Sequence, residues 1–555
     1  MISVRNLRYS YPESTVPALQ DISFDITSGE FILLIGASGS GKTTLLEAIA
    51  GVVHNHGGII RGQILIEDKD VVRDPNAKRG IVGLVLQDPE PQLTSLTVED
   101  EIRFGPENLC LQRAEIANRL EWAIDRCRLD AVRHNYVYAL SGGQKQRVVI
   151  AAGLAMQPNV LLMDGPTTNL DPEGAREVLA VIHELRQAGL VDTVILSANK
   201  VDALLPLATR IVVLDHGKVV LDGTPDEIIG HQMDRLDELG LFVPEIGRVF
   251  VRTNGLHRPK RIPLSVLGLI TELKGRSMPR PVIATGRTAD KPSVVELKNV
   301  WFGYSPEKPV LRGITLDIRK GEFLAIAGQN GSGKSTLMSL IAGLKKPQKG
   351  KISVDGMNIK DMMPGTVGFV FQNPDHQFVT ASVEEELAFG LKKLGCPEGE
   401  IRRQVDEILD LFGLSHVRKS QPYFLSMGEK RLLSVATMVI MQPSVLILDE
   451  PTTGLDARLT GKLMSILGKL VIDQGMTLIQ VSHDMEQIAE HCERVIVIDS
   501  GIVILDGTPR ALFADQSVLQ SAKLEAPPVA QLSQQLWPGQ DNLPITIAEF
   551  LGGNV

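Results

Sequence analysis

Aromatic residues, paired cysteines and long hydrophobic runs are all scarce in this sequence. Phe, Trp and Tyr make up 4% of the 555 residues, which disfavours a protein that stacks nucleic-acid bases on aromatic side chains. Cys110, Cys127, Cys396 and Cys492 form no Cys-x-x-Cys pair, so we expect neither a zinc site nor a disulfide framework, and a reducing compartment fits. No apolar run approaches the roughly 18 residues that a membrane-spanning helix needs. The opening residues 1–13 lack the apolar core of a signal peptide.

An excess of basic residues is also missing. Lys and Arg number 57 against 66 Asp and Glu, for a net charge of −9, which argues against a protein that binds nucleic acid through a basic face. Apolar residues reach 43% and supply enough material for buried cores. The length predicts three or four domains. Composition therefore predicts a large, soluble, cytosolic protein and leaves its activity open.

Self-similarity along the chain reveals a tandem repeat. The spacing between matching segments is 292 residues at Lys42 and Lys334 and 285 at Asp164 and Asp449, which is far too long for a solenoid and is typical of a duplicated domain. The clearest matches are IGASGSGKTTLLEAIAG (35–51) with AGQNGSGKSTLMSLIAG (327–343), VGLVLQDPEPQ (82–92) with VGFVFQNPDHQ (367–377), LSGGQKQRVVIA (140–151) with LSMGEKRLLSVA (425–436), and VLLMDGPTTNLD (160–171) with VLILDEPTTGLD (445–456).

The repeat predicts four segments. Copy one spans residues 1–230 and copy two spans residues 291–512, and each is predicted to be an α/β domain. We interpret the remaining segments, 231–290 and 513–555, as small helical appendages. The first of them also contains the Pro- and Arg-rich linker HRPKRIP.

Each copy contains the phosphate-binding pattern Gly-x4-Gly-Lys-Ser/Thr between an apolar, strand-like run and a helix-compatible stretch. In such a loop glycines let backbone N–H groups surround phosphates. Lys42 and Lys334 are predicted to hold the β- and γ-phosphates of a nucleotide, and Thr43 and Ser335 to offer a hydroxyl to Mg²⁺. A glycine-rich turn without a ligand is the weaker alternative, because the pattern occurs twice in this context. The loop residues predicted to bind nucleotide are Gly36, Ser38, Gly39, Gly41, Lys42, Thr43 and Thr44, with Gly328, Asn330, Gly331, Gly333, Lys334, Ser335 and Thr336 in copy two.

Each copy also ends an apolar run on an acidic residue. Asp164 and Asp449 fit the position at the end of a strand where a carboxylate serves magnesium. One such aspartate is a weak signal, since strand-end aspartates are common. Its recurrence at the same place in both copies makes the prediction strong.

Together these motifs resemble those of the ATP-binding cassette (ABC) ATPases. LSGGQ (140–144) matches the family signature, and PTTNLD and PTTGLD match its D-loop. The resemblance implies two nucleotide-binding domains, each with a RecA-like core, an antiparallel β subdomain and a helical signature subdomain. It also implies that the cassettes pair head to tail, so that each ATP meets the phosphate loop of one copy and the signature of the other. The implied signature contacts are Ser141, Gly142, Gly143 and Gln144 in copy one and Ser426 and Gly428 in copy two.

The same resemblance implies an aromatic residue under the adenine base near the start of each cassette. Tyr11 and Tyr304 lie 25 and 24 residues before the first glycine of their loops, which is the family position. An ordinary strand aromatic is the alternative for each.

A closer resemblance is to the energizing ATPases of energy-coupling-factor (ECF) importers. VFQNPDHQF (370–378) and VEEELAFG (383–390) are similar to that subgroup's Q-loop region. The resemblance makes Gln87 and Gln372 the Q-loop glutamines, which also serve Mg²⁺. It allows Glu90 and Asp375 to face a membrane partner, although a solvated loop charge is an equal alternative. The partners it implies are a transmembrane coupling (T) component and a substrate-binding membrane (S) component, with the chain bound at the cytoplasmic face of the membrane.

The two copies differ at catalytic positions. In copy two Glu450 follows Asp449, and the resemblance makes it the residue that orients or deprotonates the attacking water, with His483 contacting the γ-phosphate. Copy one has Gly165 and Asn199 at these positions.

A third departure lies in the copy-two signature. Met427 and Glu429 stand where copy one has Gly142 and Gln144, adding bulk and negative charge where a phosphate should approach. Under head-to-tail pairing all three departures fall in one degenerate site, which is still expected to bind nucleotide through Lys42 and its loop. The other site keeps a full set, whose catalytic members are Glu450, His483, Gln372 and Lys334. Drift in a redundant duplicate is the alternative to a selected asymmetry.

The sequence therefore predicts the ATPase subunit of an importer for a vitamin, a vitamin precursor or a metal, with ATP and Mg²⁺ as cofactors and no nucleic-acid partner. The alternative is a twin-cassette ATPase that acts on ribosomes. Such proteins typically carry a charged helical arm between the cassettes and a catalytic glutamate in both. Here the connector is short and contains proline, and one glutamate is missing.

Overall fold

The computed structural model describes residues 2–12, 14, 16–75, 80–168, 170, 172–189, 191–254, 262–263, 265–273, 291–305 and 308–552. The HRPKR part of the predicted linker, residues 257–261, lies outside this range. The chain divides into two compact units, Met1–Leu269 and Ile270–Val555. The division falls inside the predicted appendage 231–290.

The described part of the first unit contains ten strands and nine helices. The strands are β1 (Ile2–Ser10), β2 (Leu19–Ile26), β3 (Phe31–Gly36), β4 (Ile59–Ile66), β5 (Lys69–Asp70), β6 (Val82–Val85), β7 (Val160–Asp164), β8 (Thr193–Ser197), β9 (Arg210–Asp215) and β10 (Lys218–Gly223). The helices are α1 (Lys42–Ile49), α2 (Val98–Asn108), α3 (Arg113–Arg126), α4 (Gly142–Ala155), α5 (Pro172–Gln187), α6 (Pro225–His231), α7 (Met233–Glu238), α8 (Glu245–Asn254) and α9 (Val266–Leu273), the last of which spans the division between the units.

A six-stranded sheet forms the centre of this unit, in the order β10-β9-β3-β8-β7-β6. Its strands are parallel except for β10, which pairs antiparallel with β9. Every residue of β3, β7 and β8 is buried, because both faces of a parallel sheet are covered. The phosphate loop follows β3 and Asp164 ends β7, so both motifs lie at the carboxyl edge of one sheet.

A second sheet, in the order β2-β1-β4-β5, is antiparallel. Its apolar residues, among them Ile2, Val4 and Ile64, join α1 residues such as Leu46 in one core with Leu34 of the central sheet. Helices α2 and α3 pack against α4 and form the helical part of the unit. Both subdomains predicted beside the central sheet are therefore present.

The second unit repeats this architecture. Its strands are β11 (Ser293–Ser305), β12 (Lys308–Arg319), β13 (Phe323–Ala327), β14 (Lys349–Val354), β15 (Met357–Asn358), β16 (Val367–Val370), β17 (Val445–Asp449), β18 (Thr477–Val481), β19 (Arg494–Asp499) and β20 (Ile502–Gly507). Its remaining helices are α10 (Lys334–Ile341), α11 (Val383–Lys393), α12 (Glu398–Phe412), α13 (Met427–Val439), α14 (Ala457–Gln474), α15 (Met485–His491), α16 (Pro509–Ala514), α17 (Gln516–Ser521), α18 (Pro528–Leu536) and α19 (Ile547–Phe550).

The strand orders of the second unit are β16-β17-β18-β13-β19-β20 and β12-β11-β14-β15. These match the first unit strand for strand, which confirms the predicted duplication of one α/β domain. Across the described ranges, no helix combines the length and apolar character needed to cross a membrane.

The C-terminal helices share the core of the second unit. Leu519, Leu524 and Ile545 belong to the same buried cluster as Ile488 and Val495, which come from α15 and β19. The final segment is thus packed against the cassette and contributes to its stability through buried apolar surface.

This packing predicts that Leu519→Ala destabilises the second unit by about 2–5 kcal/mol, because it removes buried methyl groups and leaves a cavity. The matched control is Ile472→Ala, since Ile472 is 82% exposed on α14 and should change stability by less than about 0.5 kcal/mol. Urea unfolding of the full chain measures both. Equal unfolding midpoints for the two variants would show that the C-terminal segment does not stabilise the cassette.

Candidate active site

The two phosphate loops have the same geometry. Each helix that follows begins after a glycine in the left-handed region, Gly41 with φ 102° and Gly333 with φ 109°, where a side chain would be strained. The Lys42 ammonium donates to the carbonyl oxygens of Gly36 and Ala37 at 2.6 and 2.9 Å. Lys334 makes the corresponding bonds to Gly328 and Gln329 at 2.7 and 2.9 Å. In each copy the loop therefore wraps around the ammonium group that is predicted to bind phosphate.

The loop residues fit a nucleotide's phosphates. A Cβ on Gly36 would collide with the carbonyl oxygen of Leu214, and one on Gly328 with that of Ile498, so both positions require glycine. Further along each loop, a Cβ on Gly39 or Gly331 would point into open space, whereas a Cβ on Gly41 would lie 2.7 Å from the carbonyl oxygen of Ala18. The N–H groups at the start of α1 and α10 can therefore be approached closely by an anion.

A hydroxyl and a carboxylate meet at the predicted magnesium position of each copy. Thr43 Oγ1 donates to Asp164 Oδ2 at 2.6 Å, and Ser335 hydrogen-bonds the carboxylate of Asp449. Burial raises the pKa of Asp449, while the Ser335 hydroxyl and Lys334 oppose the shift. Hard oxygen donors of this kind suit Mg²⁺, which usually takes one or two protein carboxylates together with substrate phosphates. Within the described ranges, no group of three or more His, Cys, Asp or Glu is arranged to hold a metal ion.

Glu450 occupies a strained and buried position next to Asp449. Its backbone is left-handed, with φ 50°, which is uncommon for a residue with a side chain and typical of functional sites. Burial, together with the charge of Asp449, raises the pKa of Glu450 to about 8. A carboxyl group with a pKa near the working pH is suited to general base chemistry.

His483 lies between Glu450 and the phosphate loop. Its Nε2 is 3.5 Å from Glu450 Oε1 and 3.1 Å from Asn330 Oδ1. Oε1 of Glu450 is buried and accepts no hydrogen bond from the described residues, and Thr453 Oγ1 lies 3.4 Å from its other oxygen. The structure thus brings together three of the predicted residues, a carboxylate, an imidazole and a loop amide, at the edge of the copy-two sheet.

Copy one has the same backbone without the acid. Gly165 also has φ 50°, so the conformation is retained, but a Cβ there would lie 2.7 Å from Thr168 Oγ1 and 3.5 Å from Gln87 Cγ. The side chain of Gln87 therefore lies beside Gly165, at the end of β7. A side chain at position 165 would therefore require Thr168 or Gln87 to shift.

Ser197 is a site residue that the motifs did not reveal. Its buried hydroxyl donates to Asp164 Oδ1, and its Oγ lies 3.1 Å from the Gly165 nitrogen. The parallel register pairs Ser197 with Asp164 in copy one and Val481 with Asp449 in copy two. Copy one therefore holds its carboxylate with two hydroxyls, a contact that could be found only by aligning the strands.

The signature motifs begin α4 and α13. Ser141 accepts from the Gln144 backbone at 3.3 Å and its own N–H donates to Gln144 Oε1 at 3.0 Å. Ser426 and Glu429 form the same capping box. Glu429 also lies 2.9 Å from His416 Nε2. Burial raises the pKa of Glu429, but the Ser426 bonds and His416 outweigh it, and the net shift is downward.

The other signature residues differ in the space around them. A Cβ on Gly428 would lie 2.5 Å from Leu459 Cδ1, so a side chain there would force Leu459 to shift. Met427 is half-exposed at the start of α13. In copy one the corresponding Gly142 has open space around its Cβ direction, and the Cβ of Gly143 would only touch Gly174 at 3.5 Å. A nucleotide would therefore meet more side-chain bulk at the copy-two signature than at the copy-one signature.

The predicted adenine-binding tyrosines lie beside the phosphate-loop helices. The Tyr11 hydroxyl is 3.0 Å from Thr44 Oγ1, and the Tyr304 hydroxyl is 3.3 Å from Thr336 Oγ1. Tyr304 is exposed. Both tyrosine hydroxyls thus contact the residue that directly follows the hydroxyl predicted to bind magnesium.

The acidic Q-loop residues are paired within their own copies. Glu90 forms an ion pair with Lys145, and Asp375 Oδ1 lies 2.8 Å from Lys430 Nζ. Both lysines come from the signature helices. A role in facing a membrane partner stays a prediction for these carboxylates.

The model of the ABC transporter family matches residues 19–168 and 311–453. A Methanosarcina mazei protein provisionally named as an ABC transporter ATP-binding protein is 37% identical, over 99% of this chain and 96% of its own. A Bacillus subtilis protein provisionally named HMP/thiamine import ATP-binding protein YkoD is 34% identical, over 95% of both chains. A solved structure of cbiO1 from Clostridium perfringens, part of the ABC transporter complex cbiONQ, is 35% identical, covers 43% of this chain and 98% of its own, and has a TM-score of 0.38.

The family model matches both copies, and it matches them around the phosphate loops and strand-end carboxylates described above. ABC ATP-binding proteins bind and hydrolyse ATP and work with transmembrane partners. The chain belongs to the ABC transporter family, as an ATPase with two cassettes in tandem.

Proposed function

We propose that the chain is the energizing ATPase of an ECF-type importer and that ATP is hydrolysed at the copy-two phosphate loop alone. The arrangement of Glu450, His483 and Asn330 supports this most directly, because copy one has no carboxylate at the position of Glu450. Gln372 and Lys334 complete the proposed catalytic set.

In this proposal each side chain of copy two has one task. Glu450 accepts a proton from the attacking water, and His483 contacts the γ-phosphate. Lys334 binds the β- and γ-phosphates. Mg²⁺ held by Ser335, Gln372 and Asp449 would neutralise charge that develops on the phosphate oxygens.

Copy one is proposed to hold nucleotide without hydrolysing it. Lys42, Thr43 and Asp164 are present with the same contacts as in copy two, which supports binding. If the cassettes pair head to tail as the family does, this loop is served by the altered signature Ser426–Glu429, and all departures fall in one degenerate site.

Exposed aromatic residues support a membrane partner. Phe104 and Phe389 are 51% and 42% exposed, and Tyr138 and Tyr423 are 72% and 51% exposed. Each pair occupies equivalent positions in the two copies, and Tyr423 bonds the carbonyl oxygen of Phe378, just after the Q-loop. Recurrent exposed aromatic surface is typical of an interaction site. We therefore propose that T and S membrane components bind here, with the chain at the cytoplasmic face.

The transported solute is suggested by the name of one relative. The Bacillus subtilis relative is named for HMP/thiamine import, which makes a thiamine precursor one candidate beside other vitamins and transition metals. The S component would select the solute.

We predict that Glu450→Gln lowers ATP turnover of the assembled transporter at least about 100-fold, since a positioned general base typically contributes 100- to 10,000-fold. The isosteric amide keeps the size of the side chain and removes its basicity. Initial-rate phosphate release measures the effect. Turnover above about a tenth of wild type would exclude Glu450 as the base.

The same aspartate-to-asparagine change, made in each copy separately, tests whether the two copies contribute unequally to ATP turnover. Asp449→Asn should abolish turnover, whereas Asp164→Asn should leave the hydrolytic site's own groups intact and cost far less. Equal losses would contradict hydrolysis at one loop.

We also predict that Gly165→Glu alone raises ATP turnover less than about twofold. A glutamate at this position meets Thr168 and Gln87, and it still lacks a partner histidine because Asn199 stands at that position. The measurement is phosphate release in a Glu450→Gln background, where any gain must come from copy one. Recovery of a tenth or more of wild-type turnover would contradict the degenerate assignment.

A further prediction concerns the membrane partner. Phe104→Ser together with Phe389→Ser should release a small hydrophobic protein that otherwise co-purifies from membranes, while ATP binding is retained. Ile472→Ser is the control, because Ile472 is 82% exposed on α14 and should leave co-purification unchanged. Co-sedimentation of the wild-type chain with ribosomes, and not with membranes, would favour the ribosomal alternative and overturn the importer.

A further inference from the structure

The signature helix of copy two is bonded to its own Q-loop. Arg431, on α13, is 2% exposed, and its two terminal nitrogens donate to the consecutive carbonyl oxygens of Phe371 and Gln372 at 2.9 and 2.5 Å. Gln372 is the proposed catalytic and magnesium-binding glutamine. A buried guanidinium that bonds two successive carbonyls fixes both the position and the direction of that backbone.

A second link joins the same two elements. Gln377, at the end of the Q-loop, donates through Nε2 to Ser434 O and to Thr437 Oγ1, each at 2.7 Å. Both acceptors lie on α13, further along the helix than Arg431. The Q-loop is therefore held to α13 at two separate points.

Copy one lacks both links. The positions equivalent to Arg431, Ser434 and Thr437 are Gln146, Val149 and Ala152. The amide nitrogen of Gln146 is buried and has no hydrogen-bond partner in the described part of the chain.

The first-copy Q-loop is braced from within. Gln92, the counterpart of Gln377, bonds Leu86 N and O and Asp88 O of its own loop at 2.7–3.2 Å. The lysine–carboxylate pair of the Q-loop is common to both copies, so it does not account for the difference.

We propose that Arg431 is a positioning residue that makes the copy-two signature helix and Q-loop move as one body, so that nucleotide engaged by Ser426–Glu429 sets the position of Gln372. This rests on the proposed function, in which that signature serves the nucleotide held by copy one. The degenerate site would then control hydrolysis at copy two through α13, and no equivalent link would run through α4 in the opposite direction.

The dimensions of α13 suit this role. Arg431 lies five residues after Ser426, which is roughly 7 Å along a helix that rises about 1.5 Å per residue. The capping box at Ser426 and Glu429 fixes the first turn. The Arg431 guanidinium is charged at neutral pH, so its bonds to the Q-loop carbonyls are charge-assisted. A displacement at the signature is thus carried to Gln372 within one rigid segment.

A double-mutant cycle on the full chain in its membrane complex tests the link. Lys42→Ala, which weakens nucleotide binding at copy one, should lower ATP turnover at copy two about tenfold in the wild-type background, within the range usual for coupled sites. In the Arg431→Gln background, which reproduces the copy-one residue, the same Lys42→Ala change should lower turnover less than twofold. Photolabelling of copy two with azido-ATP should show nucleotide affinity within about twofold of wild type for Arg431→Gln.

Two further variants keep the test decisive if Arg431→Gln folds poorly. Arg431→Lys keeps the charge and should retain most of the Lys42→Ala effect, whereas Thr437→Ala removes one contact of Gln377 and should reduce it. Arg147→Gln is the matched control, because Arg147 is a buried arginine of α4 that bonds the carbonyls of Cys127 and Arg128 and not the Q-loop. It should leave the tenfold effect unchanged.

The outcomes separate this inference from the function on which it rests. A Lys42→Ala effect of equal size with and without Arg431 would overturn the link, and so would the absence of any effect in wild type. Neither result touches the assignment of hydrolysis to copy two, which the Glu450→Gln measurement tests independently.

Discussion

A hydroxyl held against a carboxylate at the carboxyl edge of a parallel sheet is the contact on which the rest of the structure depends. It joins the helix that follows the phosphate loop to the end of a strand two places away in the same sheet, Thr43 to Asp164 in one copy and Ser335 to Asp449 in the other. The contact is possible because parallel strands end at one edge of the sheet. The antiparallel sheet and the helical subdomain pack around this edge. Both copies keep it, and they differ in what they add to it.

The residues that each copy adds beside this contact have opposite effects on the stability of the folded chain. Copy two places a buried acid with a raised pKa on a left-handed backbone at Glu450, and such features are unfavourable unless chemistry requires them. Copy one has glycine in the same conformation and adds the Ser197 hydroxyl to Asp164. One copy therefore accepts strain beside its carboxylate, while the other relieves strain and adds a hydrogen bond. This is the pattern expected if one copy hydrolyses nucleotide and the other holds it.

The sequence was sufficient for features encoded in short, contiguous motifs. The phosphate loops, the strand-end carboxylates and the duplication were all predicted from residue types at fixed spacing, and the folded chain repeats one α/β architecture accordingly. Contacts between distant segments were beyond such motifs. Ser197 meets Asp164 through strand register, and Arg431 reaches carbonyl oxygens some 60 residues earlier in the chain.

The acidic run after each Q-loop shows the same limit. VEEELAFG (383–390) is similar to the ECF subgroup's pattern, and in the folded chain Glu386 and its copy-one counterpart Glu101 are buried and accept the N–H groups of residues 379–380 and 94–95. Their role is thus to fix the segment that follows the Q-loop. Burial and bonding of this kind are invisible in a linear pattern of charges.

If ATP is hydrolysed at copy two and retained at copy one, the γ-phosphate must have a different fate in the two copies. The assembled transporter would be incubated with azido-ATP labelled at the γ-phosphate, photolysed after several turnovers, and cleaved by protease between the two copies. We expect the label to persist on copy one and to be lost from copy two. Loss of the γ-label from both copies at similar rates would contradict it.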